Sequence, residues 1–160
     1  TFINIETKNA LLNLNKIIKK KYFKYLDGIV FGRSDIAGSY NLEKKDVDSK
    51  KIFSKIKNAL LLLRNKGKKI KMGGSITPTS IGFIESFYKK KLLKSIETRN
   101  IEIDLNKRNL NNLDQSIKQI FIFEMNWLKY KSKIKSNTKS LARIKDYRSR
   151  INEIRNRLKN

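Results

Sequence analysis

The chain has 160 residues, a formal net charge of +24 from 38 basic and 14 acidic side chains, and neither cysteine nor histidine. This composition excludes disulfides, thiol nucleophiles, Ser-His-Asp triads and Cys- or His-based metal sites within the chain, so a metal ion would bind oxygen ligands, which favours Mg²⁺ or Mn²⁺. No apolar run approaches the ~20 residues of a membrane span, no signal peptide is visible, and we expect a cytoplasmic protein without membrane partners.

Strand and helix patterns alternate over the first two thirds of the chain. The sequence predicts strands at 2–5, 26–32, 70–73 and 100–105, and helices at 10–18, 46–65 and 77–93. Thr77 and Pro78 are suited to the N-cap and first position of the third helix. Alternation of this kind predicts a parallel sheet with helical crossovers. Four such units are half of an eightfold barrel, and a small doubly wound domain is the alternative.

From Leu113 onward the pattern is helical only. We predict one helix that contains Phe121 and Trp127 as packing residues, a turn near Lys135-Ser136-Asn137, and a very basic helix at about 138–158. The predicted domains are therefore an α/β domain at 1–110 and a helical extension at 111–160.

The large positive charge has two readings. It is typical of proteins that bind nucleic acid. However, the chain is rich in Lys, Asn and Ile together, which share A/T-rich codons, and the charge is spread along its whole length. We therefore favour compositional bias, treat a nucleic-acid partner as unlikely, and keep a basic binding module on the last helix as the alternative function.

Two carboxylates follow predicted neighbouring strands. Glu6 ends the first strand and Asp35 follows the second, and in parallel α/β folds the functional residues lie at such strand ends. Two carboxylates at one edge of a sheet can share a divalent cation, so Glu6 and Asp35 are the predicted metal ligands. Glycines at the same ends let backbone approach a ligand closely; the candidate substrate-binding residues are Gly32, Arg33, Ser34, Asp35, Gly73 and Gly74.

Five short segments follow one another in a characteristic order: Ile3-Asn4-Ile5-Glu6-Thr7, Leu14 to Ile18, Leu26 to Ser39 with Asp35, Gly73 to Pro78, and Ile96-Glu97-Thr98-Arg99. This combination resembles the HpcH/HpaI aldolase and citrate lyase family. The resemblance covers about residues 2–105. It implies the C-terminal part of a (β/α)8 TIM barrel, about four βα units, followed by C-terminal helices.

The resemblance also implies an activity. It suggests a metal-dependent carbon–carbon lyase or aldolase acting on a 2-oxo acid or related carboxylate, or an acyl-CoA, with Mg²⁺ or Mn²⁺ at Glu6 and Asp35 stabilising an enolate. Backbone N–H groups around Ser34 and Asp35 would receive the substrate carboxylate. Packing of the family's C-terminal helices on neighbouring subunits suggests a homo-oligomer.

This sequence departs from the family pattern. Arg33 stands where the family's aldolases usually have Pro, and the N-terminal half that carries the family's catalytic Arg and His base is missing. We therefore interpret the chain, which starts at Thr1, as a fragment of a larger enzyme and leave its catalytic residues unassigned. A non-catalytic family member is a further alternative. Glu97 and Arg99 precede the predicted last strand, where we expect a structural ion pair or interface contact.

Overall fold

A computed structural model describes residues 1–134 and 138–158. The chain forms two compact units, Thr1–Asn106 and Lys107–Asn160, where the sequence predicted domains at 1–110 and 111–160. Each unit is described by itself. The turn predicted at Lys135-Ser136-Asn137 lies outside the described residues.

A five-stranded mixed sheet forms the centre of the first unit. Its strands lie in the order β1-β2-β3-β4-β5. The first four strands run parallel and the last is antiparallel to its neighbour. The strands are β1 Phe2–Ile5, β2 Gly28–Gly32, β3 Lys69–Gly73, β4 Ser95–Glu97 and β5 Glu102–Asp104.

Four α-helices connect the first four strands. They are α1 Lys8–Ile18, α2 Arg33–Ser39, α3 Lys50–Leu63 and α4 Ile81–Lys89, with 3₁₀ turns at Lys21–Tyr25, Lys44–Asp48 and Pro78–Ser80. Local capping sets their starts, because Thr7 Oγ1 accepts from Ala10 N at 3.0 Å and Ser49 Oγ from Ile52 N at 3.4 Å. Thr77 caps the turn before α4, as its position beside Pro78 predicted.

The two faces of the sheet differ in chemistry. In register, Ile5, Phe31, Met72 and Ile96 lie side by side on one face and are buried with the apolar sides of α1, α3 and α4. The next residues along each strand point to the opposite face because side chains alternate. That face carries Phe2 and Val30 together with a larger set of polar side chains: Asn4, Glu6, Lys69, Lys71, Ser95, Glu97, Glu102 and Asp104.

The predicted TIM-barrel fold is wrong for this chain. β5 follows β4 directly through a hairpin, closed by Thr98 N donating to Ile101 O at 2.8 Å, and no helix separates the two strands. The alternation of strand and helix that a barrel needs stops there, and β1 and β5 form the two edges of an open sheet within the described residues. The fold class is α/β with an open, mostly parallel sheet.

The hairpin also corrects the predicted strand at 100–105. That segment contains the antiparallel β5, whereas the fourth parallel strand is the three-residue β4, which sequence patterning missed because it is so short. Glu97 therefore ends β4, at the carboxyl edge of the parallel strands, rather than beginning the next strand.

The second unit is a helical hairpin. A short helix α5, Lys107–Asn111, precedes α6, Leu113–Ile134, which packs against α7, Thr138–Arg157. Its buried side chains include Ile117, Phe121, Leu128, Ile144 and Ile154. Phe121 is a packing residue as predicted, but Trp127 is 43% exposed.

Candidate functional site

Two glutamates and two glycines lie in one row at the carboxyl edge of the parallel strands. Gly32 pairs with Gly73 at the ends of β2 and β3. Glu6 follows β1, and Glu97 ends β4. Because the strands are in register and side chains alternate, both glutamates and both glycine Cα atoms face the polar side of the sheet. We call this row the strand-end site: Glu6, Gly32, Gly73 and Glu97.

Glu6 leans across its neighbouring strand. A Cβ on Gly32 would lie 2.8 Å from Glu6 Cγ and 3.0 Å from Oε1, so a side chain at position 32 would displace the glutamate. Asn4 Nδ2 donates to Glu6 Oε1 at 3.2 Å and orients the carboxylate. Gly32 thus leaves the space that the Glu6 side chain occupies, and its predicted contact with a substrate stays a prediction.

Glu97 lies over Gly73 in the same way, reaching it from β4. A Cβ on Gly73 would lie 3.1 Å from Glu97 Cγ and 3.5 Å from Oε1. Burial raises the pKa of the Glu97 carboxyl, Lys71 opposes that shift, and the Glu102 and Glu6 carboxylates add to it. Glu6 and Glu97 thus lie over two glycines that are paired on neighbouring strands. The sequence did not identify Glu97 as a site residue. The available signal was that Ile96-Glu97 repeats the pattern of Ile5-Glu6, an apolar residue followed by a glutamate.

Asp35 follows the end of β2, where the sequence placed it. It lies in the first turn of α2 and its side chain is exposed. α2 is tied to the start of α1 because Lys8 N donates to Ser39 Oγ at 2.7 Å. This contact brings α2 to the segment that follows Glu6, but within the described residues no hydrogen bond or ion pair joins Asp35 to Glu6. Asp35 as a metal ligand stays a prediction.

Arg33 is wholly buried, and its guanidinium contacts other residues of the chain. Its Nε donates to Gly73 O at 3.3 Å and its Nη2 donates to Gly74 O at 2.9 Å and to Ser80 Oγ at 3.1 Å. Its Nη1 forms an ion pair with Asp48. Burial lowers the pKa of the guanidinium, and Asp48 opposes that shift. Arg33 ties the end of β2 to the loop after β3, so we assign it no direct contact with substrate.

The loop after β3 packs against the start of α2. A Cβ on Gly74 would lie 2.6 Å from Ser34 N and 2.8 Å from Arg33 N, and Gly74 has a φ of +81° that favours glycine. Ser34 Oγ donates to Ser75 Oγ at 2.8 Å. Of the N–H groups that the resemblance assigned to a substrate carboxylate, that of Ser34 therefore lies beside Gly74.

A charged cluster continues along the polar face. Lys71 pairs with Glu102, and its ammonium lies 4.3 Å from the centre of the Phe2 ring. Ser95 Oγ donates to Glu102 Oε1 at 2.6 Å. The hydrogen bonds from Lys71 and then from Ser95 lower the pKa of Glu102. Glu102 therefore already has two partners. Glu6 and Glu97 are the carboxylates that lie over Gly32 and Gly73.

The residues of the strand-end site suit a divalent cation with few protein ligands. No group of three or more Asp, Glu, His or Cys side chains that could hold a metal occurs among the described residues. Mg²⁺, however, usually keeps several waters and binds through one or two carboxylates plus substrate oxygens. Glu6 and Glu97 provide that donor set, and a cation between them would relieve the repulsion that contributes to the raised pKa of Glu97.

A cleft lies at the opposite edge of the sheet from the strand-end site. It has a volume of about 670 Å³, with Lys68, Lys69, Lys89, Lys91 and Lys94 at its rim and Ile70, Leu92 and Leu105 at its base. Lysines that follow α4 offset the negative end of that helix, which accounts for part of this charge without a ligand. The strand-end site therefore remains the better candidate for chemistry.

Comparisons with known proteins found nothing similar: no family model, no curated protein and no solved structure matches this chain. The resemblance to the aldolase and citrate lyase family stays a prediction from the sequence motifs. Among the described residues, no helix has the length and apolar character that crossing a membrane requires.

Proposed function

We propose that this chain is a metal-dependent carbon–carbon lyase or aldolase that acts on a small carboxylate, a 2-oxo acid or an acyl-CoA. The observation that carries the proposal is the convergence of Glu6 and Glu97 over the paired glycines Gly32 and Gly73. The cation site is inferred from that geometry, whereas the lyase chemistry is inferred from the sequence resemblance.

The distribution of charge supports a cation site. The chain has 38 basic and only 14 acidic side chains, yet Glu6 and Glu97 both lie at the carboxyl edge of the parallel strands. Glu102 on the same face is already paired with Lys71. A divalent cation would offset the repulsion between Glu6 and Glu97.

The roles of the chain's own residues follow from their contacts. Glu6 and Glu97 would hold Mg²⁺ or Mn²⁺, and the ion would supply Lewis-acid stabilisation of an enolate. Asn4 orients Glu6 through its hydrogen bond. Arg33 fixes the loop after β3, and so the backbone at Gly73, against the end of β2. We assign no proton acceptor.

Metal binding tests the site. We expect Mn²⁺ binding, followed by electron paramagnetic resonance, to weaken at least tenfold in Glu6→Gln and Glu97→Gln. Glu85→Gln, which alters an exposed glutamate paired with Lys89 on α4, is the matched control and should bind as the wild type does. Asp35→Asn decides whether Asp35 is also a ligand. Equal Mn²⁺ affinity in wild type, Glu6→Gln and Glu97→Gln would refute the site.

Enolate formation tests the chemistry separately. Pyruvate is the simplest 2-oxo acid, and we expect Mg²⁺-dependent exchange of its methyl protons with deuterium, followed by proton NMR. The exchange should be lost in Glu6→Gln and kept in Glu85→Gln. Mn²⁺ binding without exchange of any 2-oxo acid or acyl-CoA tested would identify a non-catalytic protein instead.

The remaining expectations from the sequence are also proposals. We propose a homo-oligomer in the cytoplasm. Nucleic-acid binding through α7 is the weaker alternative, because three of its arginines have partners within the helical unit. Arg143 donates to Tyr147, Arg150 pairs with Asp146 at 3.0 Å, and Arg157 pairs with Asp114 at 3.5 Å.

A further inference from the structure

Three aromatic side chains are exposed along one side of α6. Phe123, Trp127 and Tyr130 are 52%, 43% and 57% exposed, and their spacing places them on one stripe of the helix. We call them the aromatic stripe. Single exposed apolar residues are common on protein surfaces, but a contiguous group of Trp, Tyr and Phe is typical of interfaces.

The stripe is not part of the hairpin's own core. The side of α6 that packs in the helical unit carries Ile117, Phe121 and Leu128, all buried. The stripe lies on the flank of that side, so the packing of α6 against α7 leaves it open. It is therefore available to a partner.

The charged side chains that α6 exposes to solvent without an acidic partner on the same helix are lysines. α6 contains Lys118, Lys129, Lys131 and Lys133, and its two acidic residues face inward or are paired. Glu124 is 2% exposed and accepts from Tyr147, and Asp114 pairs with Arg157. A second copy placed across a two-fold axis would oppose lysines with lysines, so the complementary partner has to bring carboxylates or phosphates.

The rings themselves favour a protein over a nucleic acid. Trp127 and Tyr130 stack on each other with centroids 5.9 Å apart and planes 21° apart. The Lys131 ammonium lies 5.4 Å from the centre of the Trp127 ring. Base stacking needs free ring faces, and these contacts already occupy the Trp127 ring, which is the largest of the three. The outward edges suit apolar side chains of a helix laid along the stripe.

We propose that the aromatic stripe of α6 is a docking surface for an acidic amphipathic helix of another protein. Leu- or Ile-type side chains of the partner pack on Phe123, Trp127 and Tyr130, and its carboxylates pair with Lys129, Lys131 and Lys133. The charge pairs supply specificity and association rate, and the aromatic contacts supply most of the affinity. This inference is independent of the strand-end site.

The test uses the full chain and a synthetic helical peptide with leucines on one side and glutamates on the other. Trp127 is the only tryptophan, so its fluorescence reports occupancy directly. We expect saturable binding that weakens with salt, and at least a ~10-fold loss in Phe123→Gln/Tyr130→Gln, which keeps Trp127. Tyr22→Gln/Tyr25→Gln removes two other exposed tyrosines and should bind normally.

Four outcomes would overturn the proposal. The first is no saturable response to the acidic peptide, and the second is equal binding of a peptide with lysines in place of the glutamates. The third is a stronger Trp127 response to oligo-dT or to anionic phospholipid vesicles than to the acidic peptide. The fourth is concentration-dependent self-association that changes Trp127 fluorescence without peptide.

Discussion

Arg33 shows how a charged side chain at a strand end can serve structure rather than binding. Its guanidinium is wholly buried, and its partners come from the loop after β3 and from Asp48. Asp48 in turn accepts from Thr79 Oγ1 at 2.8 Å and from Ser80 Oγ at 2.9 Å. The pair therefore holds three loops together beneath the strand-end site.

Asp48→Asn should be strongly destabilising. It would leave a buried guanidinium without its counter-charge, a change that costs about 3 kcal/mol or more in the free energy of unfolding. Urea unfolding followed by circular dichroism measures this. Glu85→Gln removes the exposed ion pair with Lys89 and should cost less than about 0.5 kcal/mol. Equal effects of the two substitutions would show that Arg33 does not need Asp48.

Gly32→Ala tests whether the position of the Glu6 side chain depends on the absence of a Cβ at residue 32. The added Cβ would lie 2.8 Å from Glu6 Cγ, so the glutamate has to move while the backbone keeps its conformation. We expect Mn²⁺ affinity to fall by about tenfold, a cost of about 1.4 kcal/mol in binding free energy. Gly38→Ala is the matched control because a Cβ there meets nothing within 4 Å. Unchanged affinity in Gly32→Ala would contradict the proposed role of Glu6.

Glu97→Gln should change stability in a pH-dependent way. A carboxyl whose pKa is raised by folding makes the fold less stable as it ionises. The metal-free Gln variant should therefore match the wild type at low pH. It should become the more stable protein as the pH rises above about 4.3, the ordinary glutamate pKa, and level off above the raised pKa.

The gain should stay below about 1 kcal/mol because Glu97 is partly exposed to solvent. Thermal unfolding from pH 3 to pH 8 in the presence of a chelator measures it. A Gln variant that is less stable than the wild type at neutral pH would instead assign Glu97 a structural ion pair, as the sequence had suggested.

At the scale of single residues, the sequence selected Glu6 but not Glu97. Glu6 follows a four-residue strand whose pattern is clear, and the rule that functional residues follow parallel strands then selects it. Glu97 ends a strand of only three residues, so its place at the same edge could not be seen in the sequence. The burial of Arg33 depends on Asp48 and Ser80, which lie 15 and 47 residues further along the chain, and no local pattern shows such contacts.

At the scale of elements, the periodic segments were predictable and the short ones were not. α1, α3 and the strands β1, β2 and β3 follow apolar patterns long enough to identify. The seven-residue α2 was missed because it contains fewer than two full turns. The hairpin between β4 and β5 was missed because its turn at 98–101 looked like a lead-in to one longer strand.

The helical hairpin depends on a buried polar pair. Tyr147 donates its hydroxyl to Glu124, which is almost fully buried between α6 and α7, and also accepts from Arg143 Nη2 at 3.3 Å. Burial and then the bond to Glu124 raise the pKa of the Tyr147 hydroxyl. The pair fixes which residues of α6 and α7 lie opposite each other.

Tyr147→Phe should lower stability by about 1–3 kcal/mol, because it removes a hydrogen bond from a buried carboxylate. Hydrogen exchange of the α6 and α7 amides measures the effect within the helical unit. Tyr130→Phe, at an exposed position on α6, is the control and should leave exchange unchanged. Equal protection in Tyr147→Phe and wild type would mean that the hydroxyl contributes nothing to the packing.

At the scale of the whole molecule, the alternation of strands and helices predicted an α/β domain followed by helices. The predicted barrel was wrong. A barrel depends on how the last strand is connected, and β5 turns back antiparallel to β4. The charge of +24 indicated neither the acidic face of the sheet nor the aromatic stripe of α6, since composition does not reveal which side chains fold together.

The central claim is that Glu6 and Glu97 act on one cation, and a double-mutant cycle of Mn²⁺ affinity tests it most directly. The four proteins are the wild type, Glu6→Gln, Glu97→Gln and the variant with both changes. If both carboxylates bind the same ion, the double variant should bind Mn²⁺ about as weakly as either single variant, so the effects are strongly non-additive. Additive losses, or no loss in Glu97→Gln, would contradict a shared site.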